Sequence, residues 1–264
     1  MTTATTTAPT TAPARRGLGT LTATEARLFL RDPGAVFFAL AFPTVLLLGM
    51  GLVIPGMREP ITDMPQFAGM AVIHLWGPAV LSLAVGTVAL TTLPAYVASY
   101  REHGVFRRLS TTPMRPRSVL AAHVVVSGAA LAAAVVLAVT VGVLALDLPL
   151  PEQPLLIVGT LVLATLAMFA IGFVVGGTAP KASTASGIGM LLYFPMLFFA
   201  GVWTPTAMMP DTLATIASFV PLGAASEAMT VAWFGGDLPW QELAVLAGWS
   251  VVGYPVAARV FRWS

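Results

Sequence analysis

The residue types that most often carry chemistry are few and scattered in this sequence. Its three histidines, His74, His103 and His123, fall in three different segments, and it has no Cys. It contains neither an H-E-x-x-H nor a G-x-S-x-G pattern, and catalysis needs polar groups that converge on one spot. Its only Lys, Lys181, follows Pro180, whereas a Walker A loop places Gly directly before the Lys. We therefore expect no catalytic residue, no metal site and no cofactor bound by this chain.

Two of the histidines, His74 and His123, lie in long apolar stretches. An ionisable side chain at membrane depth is a candidate functional residue by default. A hydrogen bond that joins two neighbouring helices is the more ordinary role, and we favour it for both histidines.

The composition excludes an ordinary water-soluble globule. Hydrophobic residues make up 57% of the 264 residues, charged residues only 9%, and the mean hydropathy is +0.88. An average soluble domain has roughly 25% charged residues. The net charge of +2 comes from so few groups that no basic face can form, which argues against a nucleic-acid partner.

The apolar stretches predict an all-α polytopic membrane protein with six spans, each of about 20 residues or more. We place them at about residues 35–55, 66–94, 118–146, 154–177, 185–203 and 241–260. Gly172 and Gly176 form a small-xxx-small pattern in the fourth, which favours close packing against another helix of the same chain.

The N-terminal region divides into a tail and a helix. Residues 1–17 are rich in Thr, Ala and Pro and predict a disordered cytoplasmic tail. Residues 18–31 predict an amphipathic helix that lies in the membrane interface and runs into the first span. Thr22 and Glu25 fit a capping box, and Asp32-Pro33 ends the helix.

Residues 204–240 predict a pair of short helices instead of a seventh span. The apolar run from Thr212 to Val220 is bounded by Pro210-Asp211 and Pro221, and it is too short to cross a bilayer. A re-entrant or interfacial pair fits better, with Asp211 as the cap of its first helix.

The arginines predict the topology. If the N-terminus is cytoplasmic, 12 of the 13 basic residues fall in inner segments, and only Arg58 lies outside. This distribution obeys the positive-inside rule and places both termini in the cytoplasm. A seventh span would move Arg259 and Arg262 to the outside.

The segment 95–117 carries the densest polar signal. It holds five arginines, and burying them in the bilayer would cost roughly 15 kcal/mol at about 3 kcal/mol each, so it is an inner loop. Val105, Phe106 and Leu109 give a small apolar face ringed by Arg, which suits docking into a groove of another protein.

Two ordered sets of residues resemble a known family. Glu102-x-Gly104, Leu109 and Pro113 are similar to the cytoplasmic loop of ABC-2 type transporter permeases. Gly201-Val-Trp-Thr-Pro205, Pro210, Pro221 and Glu227-Ala228 are similar to the region between the last two spans of that family. The resemblance covers about residues 18–262 and is closest to the daunorubicin-exporter-like branch.

The resemblance implies a type V exporter-like fold, in which two six-span copies pair, here as an expected homodimer, and dock separate subunits that bind ATP and Mg. It implies a coupling segment to the ATPase and an outer re-entrant segment. The coupling residues would be Arg101, Glu102, Gly104, Phe106, Arg107, Arg108, Leu109 and Pro113. The outer residues would be Gly201, Pro205, Pro210, Pro221 and Glu227.

The fifth predicted span is rich in Met and aromatic residues, including Met190, Phe194 and Phe198, which we take as a candidate substrate path. The sequence thus predicts a permease of the plasma membrane that exports a drug, a lipid or a lipid-linked glycan, with drug efflux giving antibiotic resistance. Two alternatives stay open at this stage: a secondary carrier driven by an ion gradient, and a membrane scaffold that transports nothing.

Overall fold

The computed structural model describes residues 14–105 and 116–260. These residues are mostly helical and form no β-strand, so the expected all-α membrane fold is confirmed. The longer helices are α1 (Ala14–Leu30), α2 (Pro33–Val53), α3 (Val72–Glu102), α4 (Pro116–Leu146), α5 (Pro154–Thr178), α6 (Ala182–Phe199), α7 (Asp211–Phe219), α8 (Pro221–Phe234) and α9 (Trp240–Val260).

Six of these helices, α2 to α6 and α9, are long and apolar enough to cross a membrane. Their bounds lie within a few residues of the predicted spans, with one larger difference. The helix α3 runs from Val72 to Glu102 instead of from 66 to 94, because Pro94 lies inside the helix and does not end it.

Local π-helical turns explain how proline is accommodated inside two of the spans. The backbone of α3 is π-helical over Thr87–Thr92, just before Pro94, and that of α2 over Phe37–Ala41, just before Pro43. Proline lacks an N–H, and its ring clashes with the carbonyl four residues earlier. A π-helical turn widens the spacing locally and so lets the helix continue past the ring.

The helix α1 differs from its prediction in two ways. It begins at Ala14, so the predicted disorder is wrong for residues 14–17, while residues 1–13 lie outside the described part of the chain. The capping box is also wrong, because Thr22 lies inside the helix, where its hydroxyl donates to the carbonyl of Leu18 at 2.9 Å. Asp32 does act as a cap, since its carboxylate accepts from the N–H of Ala35 at the start of α2.

The segment after α6 forms the expected pair of short helices. α7 and α8 meet at an angle of 104°. Asp211 does not cap α7 with its side chain; Pro210 holds the cap position. The helix α8 is more deeply enclosed than an interfacial helix, since Leu222, Met229 and Trp233 are at most 1% exposed.

The helix α3 forms the centre of the bundle: 78% of its most apolar stretch is buried, against 17–44% for the other spans. Two glycines of α5 allow it to approach closely. A methyl group at Gly172 would overlap the carbonyl oxygen of Ala89, and one at Gly176 would lie 2.9 Å from the carbonyl oxygen of Pro94. The prediction that this glycine pair packs within the chain is confirmed.

The two ends of the bundle differ in charge. The junctions α1–α2 and α5–α6 and the C-terminal end of α3 lie at one end, with Arg31, Arg101 and Lys181; we call this the basic end. The junctions α2–α3 and α4–α5 lie at the opposite end, where Arg58 approaches Asp147 at 4.0 Å.

Candidate functional site

The last turn of α3 carries the first residues of the predicted coupling segment, and two of them bind neighbouring helices. One guanidinium nitrogen of Arg101 donates to the carbonyls of Gly177 at 2.7 Å and Ala179 at 3.2 Å, at the C-terminal end of α5. The carboxylate of Glu102 accepts from the N–H of Ala182 at 3.0 Å, at the start of α6. The two side chains therefore hold the short connection between α5 and α6 against the end of α3.

Gly104 ends α3 through its backbone conformation. Its φ is +64°, a value that favours glycine, and its N–H donates to the carbonyl of Arg101 at 3.0 Å. This glycine turns the chain out of α3 toward the arginine-rich loop. The other predicted coupling residues, Phe106, Arg107, Arg108, Leu109 and Pro113, lie outside the described residues.

A buried polar cluster that the sequence reasoning missed lies beneath α1. Glu25 is 4% exposed and accepts a 2.6 Å hydrogen bond from the hydroxyl of Tyr100. The other carboxylate oxygen lies 3.5 Å from Nδ1 of His123, which is 5% exposed, and the ring of Tyr96 stacks on the His123 ring at 4.2 Å. The cluster joins α1 to α3 and α4, the two helices that flank the arginine-rich loop.

His74 has the ordinary role that we expected of it. Its Nε2 lies 3.0 Å from the carbonyl oxygen of Leu146, which ties the start of α3 to the end of α4. The expectation for His123 holds in part, because its partner across the helices is a carboxylate. Within residues 14–105 and 116–260, no three His, Asp or Glu side chains come together as a set of metal ligands.

A cavity of about 480 Å³ lies between α1, α2, α3 and α6. Its walls are mainly apolar and aromatic, with Phe38 and Phe42 on one side and Met190 and Phe194 on the other. Among the described residues that line it, Asp32 is the only charged one. The cavity can therefore hold an apolar or amphipathic molecule far more readily than a strongly charged one.

Hydroxyl groups on the cavity wall are largely bonded to each other or to the backbone. Thr87, in the π-helical turn of α3, donates to the carbonyl of Leu83 at 2.8 Å and lies 2.6 Å from the hydroxyl of Tyr193. Because the Thr87 proton goes to Leu83, the Tyr193 hydroxyl is the donor in that pair. This bond ties α3 to α6 in the wall of the cavity.

The structure separates the three residues of the predicted substrate path. Met190 and Phe194 line the cavity, one turn apart on α6. Phe198 is not part of the lining, and its ring packs edge-on against Phe199 with a centroid separation of 5.4 Å. The density of Met and aromatic residues in the sequence pointed to Met190 and Phe194. It does not show which side of the helix each residue faces, so it could not exclude Phe198.

The predicted outer residues shape the turns around α7 and α8. Gly201 has a φ of +81° and turns the chain at the end of α6, where a side chain would press on the N–H of Thr206 at 3.2 Å. Pro205 and Pro221 are buried, and Pro221 begins α8. Trp76 of α3 donates its indole N–H to the carbonyl of Val202 at 2.9 Å, which fixes this turn to the bundle.

Glu227 is the one predicted outer residue that titrates, and it lies on α8, outside the six spans. Burial raises the pKa of its carboxyl group above the usual value, and the negative charge of Glu242 adds to this effect. A hydrogen bond from the side chain of Thr206 acts in the opposite direction. The carboxyl group is therefore protonated more readily than one in water.

Comparison with known proteins agrees with this architecture. The family model described as ABC-2 type transporter matches residues 16–234, which include most of α1, the first five spans and the pair α7–α8. No curated protein matches the chain. Because the matched region is most of its length, the chain belongs to the ABC-2 type transporter family and is a multi-pass membrane protein.

Proposed function

We propose that this chain is the permease subunit of an ATP-binding-cassette exporter of the daunorubicin-exporter-like branch. It moves a hydrophobic or amphipathic molecule, such as a drug, a lipid or a lipid-linked glycan, out of the cell. A separate subunit binds ATP and Mg and supplies the energy. The observation that carries this proposal is the family match over residues 16–234, on a helical bundle with an apolar cavity.

The basic end of the bundle is the cytoplasmic end in this proposal. Arg31, Arg101 and Lys181 lie there, in agreement with the excess of basic residues that cytoplasmic segments carry. Both termini then lie in the cytoplasm, and the protein lies in the plasma membrane. Protease added to intact cells is expected to leave an N-terminal tag uncut.

The ATPase subunit docks on the segment from Arg101 to Pro113. Two features support this assignment: the segment is rich in arginine, and it follows directly from α3, the most enclosed helix. Force applied to this loop therefore acts on the centre of the bundle. Phe106, Arg107, Arg108 and Leu109 would make the contact, and Gly104 would set its direction.

The cavity is the substrate site in this proposal. Its lining includes Asp32 and Gly34 at the α1–α2 junction, which lies at the basic end, and its apolar walls match an amphipathic molecule that enters from the membrane. Met190 and Phe194 would contact the substrate. A second copy of the chain would pair with this one and close the pathway, so the working unit is a homodimer.

One experiment tests these statements together. The chain is co-expressed with a candidate ATP-binding-cassette subunit from the same genome, and ATP-driven efflux of the hydrophobic dye Hoechst 33342 is measured in cells. Met190→Trp fills the cavity and is expected to reduce efflux, whereas Leu191→Trp, on the exposed side of α6, is the matched control.

Two results would contradict the proposal. Efflux that continues with a hydrolysis-deficient ATPase subunit would select an ion-driven carrier. Failure of the two proteins to co-purify, together with normal cell function after changes to Arg107 and Arg108, would select a scaffold.

A further inference from the structure

Three consecutive residues at the end of α3 each bind a different element. Tyr100 donates to Glu25 of α1, Arg101 donates to the last carbonyls of α5, and Glu102 accepts from the first N–H of α6. Immediately after them, Gly104 turns the chain into the arginine-rich loop. The last turn of α3 is thus a junction between that loop and three other helices.

Elementary electrostatics accounts for the choice of side chains. The last carbonyls of a helix have no partner within the helix and carry partial negative charge, which suits the cation of Arg101. The first N–H groups carry partial positive charge, which suits the carboxylate of Glu102. The positive charge of Arg101 thus lies at the C-terminal end of α5, and the negative charge of Glu102 lies at the N-terminal end of α6.

The bond from Glu102 reaches the helix that carries one wall of the cavity. Met190, Tyr193 and Phe194 are all on α6. Only 22% of the most apolar stretch of α6 is buried, so most of its surface faces away from the bundle. The contacts that do hold it come largely from α3, through the Thr87–Tyr193 pair and a glycine at position 189 that lies against the backbone of Leu90.

We propose that Glu102 and Arg101 are positioning residues that pass movement of the arginine-rich loop to α6 and so change the shape of the cavity. This inference rests on the proposed function, and it gives both residues a role within the chain that is separate from docking. When the ATPase subunit displaces the loop, the end of α3 moves, and the N-terminal end of α6 moves with it because the two are hydrogen-bonded.

The test uses the full chain in complex with its ATP-binding subunit in lipid nanodiscs. Because the sequence has no Cys, a single Cys at exposed Ser183, in the first turn of α6, takes a bimane fluorophore at one defined position. The change in bimane emission when ATP and vanadate trap the complex reports movement of α6. Co-purification and ATP hydrolysis are measured in the same samples.

Two variants remove the same hydrogen bond from opposite sides. Glu102→Ala removes the acceptor, and Ala182→Pro removes the donor N–H. Proline suits this position because Ala182 is the first residue of α6 and Lys181 before it is extended, with φ −138° and ψ 158°. Each variant is expected to reduce the emission change about threefold or more, and the double variant no further, because both changes break one bond.

Two controls separate this bond from general damage. Glu102→Gln keeps an oxygen acceptor and is expected to retain most of the emission change. Lys181→Ala alters the charge of the same exposed connection without touching the bond and is expected to behave as the unchanged protein.

The possible failures are distinguishable. An emission change of undiminished size in Ala182→Pro, in a complex that still hydrolyses ATP, overturns the transmission role of Glu102. If the chain without these substitutions neither co-purifies with the ATPase subunit nor changes its bimane emission on addition of ATP, the proposed function is overturned instead.

Discussion

The close contact between α5 and α3 gives a graded prediction for three glycines of one helix. A methyl group at Gly159 would meet nothing within 4 Å. At Gly176 it would lie 2.8 Å from Cβ of Val97 and 2.9 Å from the carbonyl oxygen of Pro94, where ordinary contacts begin at 3.4 Å. At Gly172 it would overlap the carbonyl oxygen of Ala89 still more deeply.

The magnitudes follow from what has to move. In Gly176→Ala the neighbours must recede by about 0.5 Å, and part of the obstacle is backbone, so we expect a loss of about 1–2 kcal/mol of stability. In Gly172→Ala the obstacle is a backbone carbonyl at closer range, and we expect about 3 kcal/mol. Gly159→Ala should be neutral or stabilising by up to about 1 kcal/mol, because Ala favours the helix.

Unfolding by SDS in mixed micelles, followed by the fluorescence of the six Trp residues, measures these differences. Gly159→Ala is the matched control, since the same atoms are added to the same helix. Equal free energies of unfolding for the three variants would refute the reasoning, because the contacts then would not resist a methyl group. A reversed order of Gly176→Ala and Gly172→Ala would show that the helices are not packed in this way.

Three further predictions concern the site. Glu25→Ala should cost about 3 kcal/mol in the same assay, because it removes this partner from buried His123 and from the partly buried Tyr100 hydroxyl. A loss no larger than that of an exposed Glu→Ala change would contradict it. Gly104→Ala should reduce stimulation of the ATPase and cost about 1 kcal/mol of stability, because the φ of Gly104 is +64°. Gly104→Asn should be nearly neutral, because Asn tolerates this left-handed conformation. Equal effects of the two variants would argue against a left-handed turn. Glu227→Gln should stabilise the protein above the raised carboxyl pKa, where the wild-type group is charged and partly buried, and the gain should disappear as the pH falls below the ordinary value of 4.5. A gain that does not depend on pH would show that ionisation is not its cause.

Hydropathy and length were sufficient to predict the six spans, because a stretch of about 20 apolar residues has few other stable environments. The end of the second span was misplaced because Pro94 is a strong signal for a helix end. The local π-helical turn that keeps the helix going depends on tertiary packing, in which the backbone of Leu90 lies against a glycine of α6. No local pattern in the sequence encodes that contact.

The buried cluster beneath α1 could not be found from the sequence for a related reason. Glu25 fits a local capping pattern, and the wheel of an amphipathic helix offers polar positions that face water. Its actual partners, Tyr100 and His123, are 75 and 98 residues away in the chain, and only the folded bundle brings them together. Likewise no local pattern shows that α8 packs against α3, α5 and α9, which leaves Leu222, Met229 and Trp233 at most 1% exposed.

Arg101 shows why counting charges predicts topology better than it predicts the role of each charge. The sequence reasoning used this arginine as one of many that mark an inner loop, and any basic residue would serve that purpose. Its neighbours in the structure are the last carbonyls of α5, at the end of a span where water no longer reaches every backbone group. Arg101 lies in the last turn of α3, close enough to satisfy the end of α5. The same argument applies to Glu102 and the start of α6, so both charges in the last turn of this enclosed helix are tied to neighbouring helices.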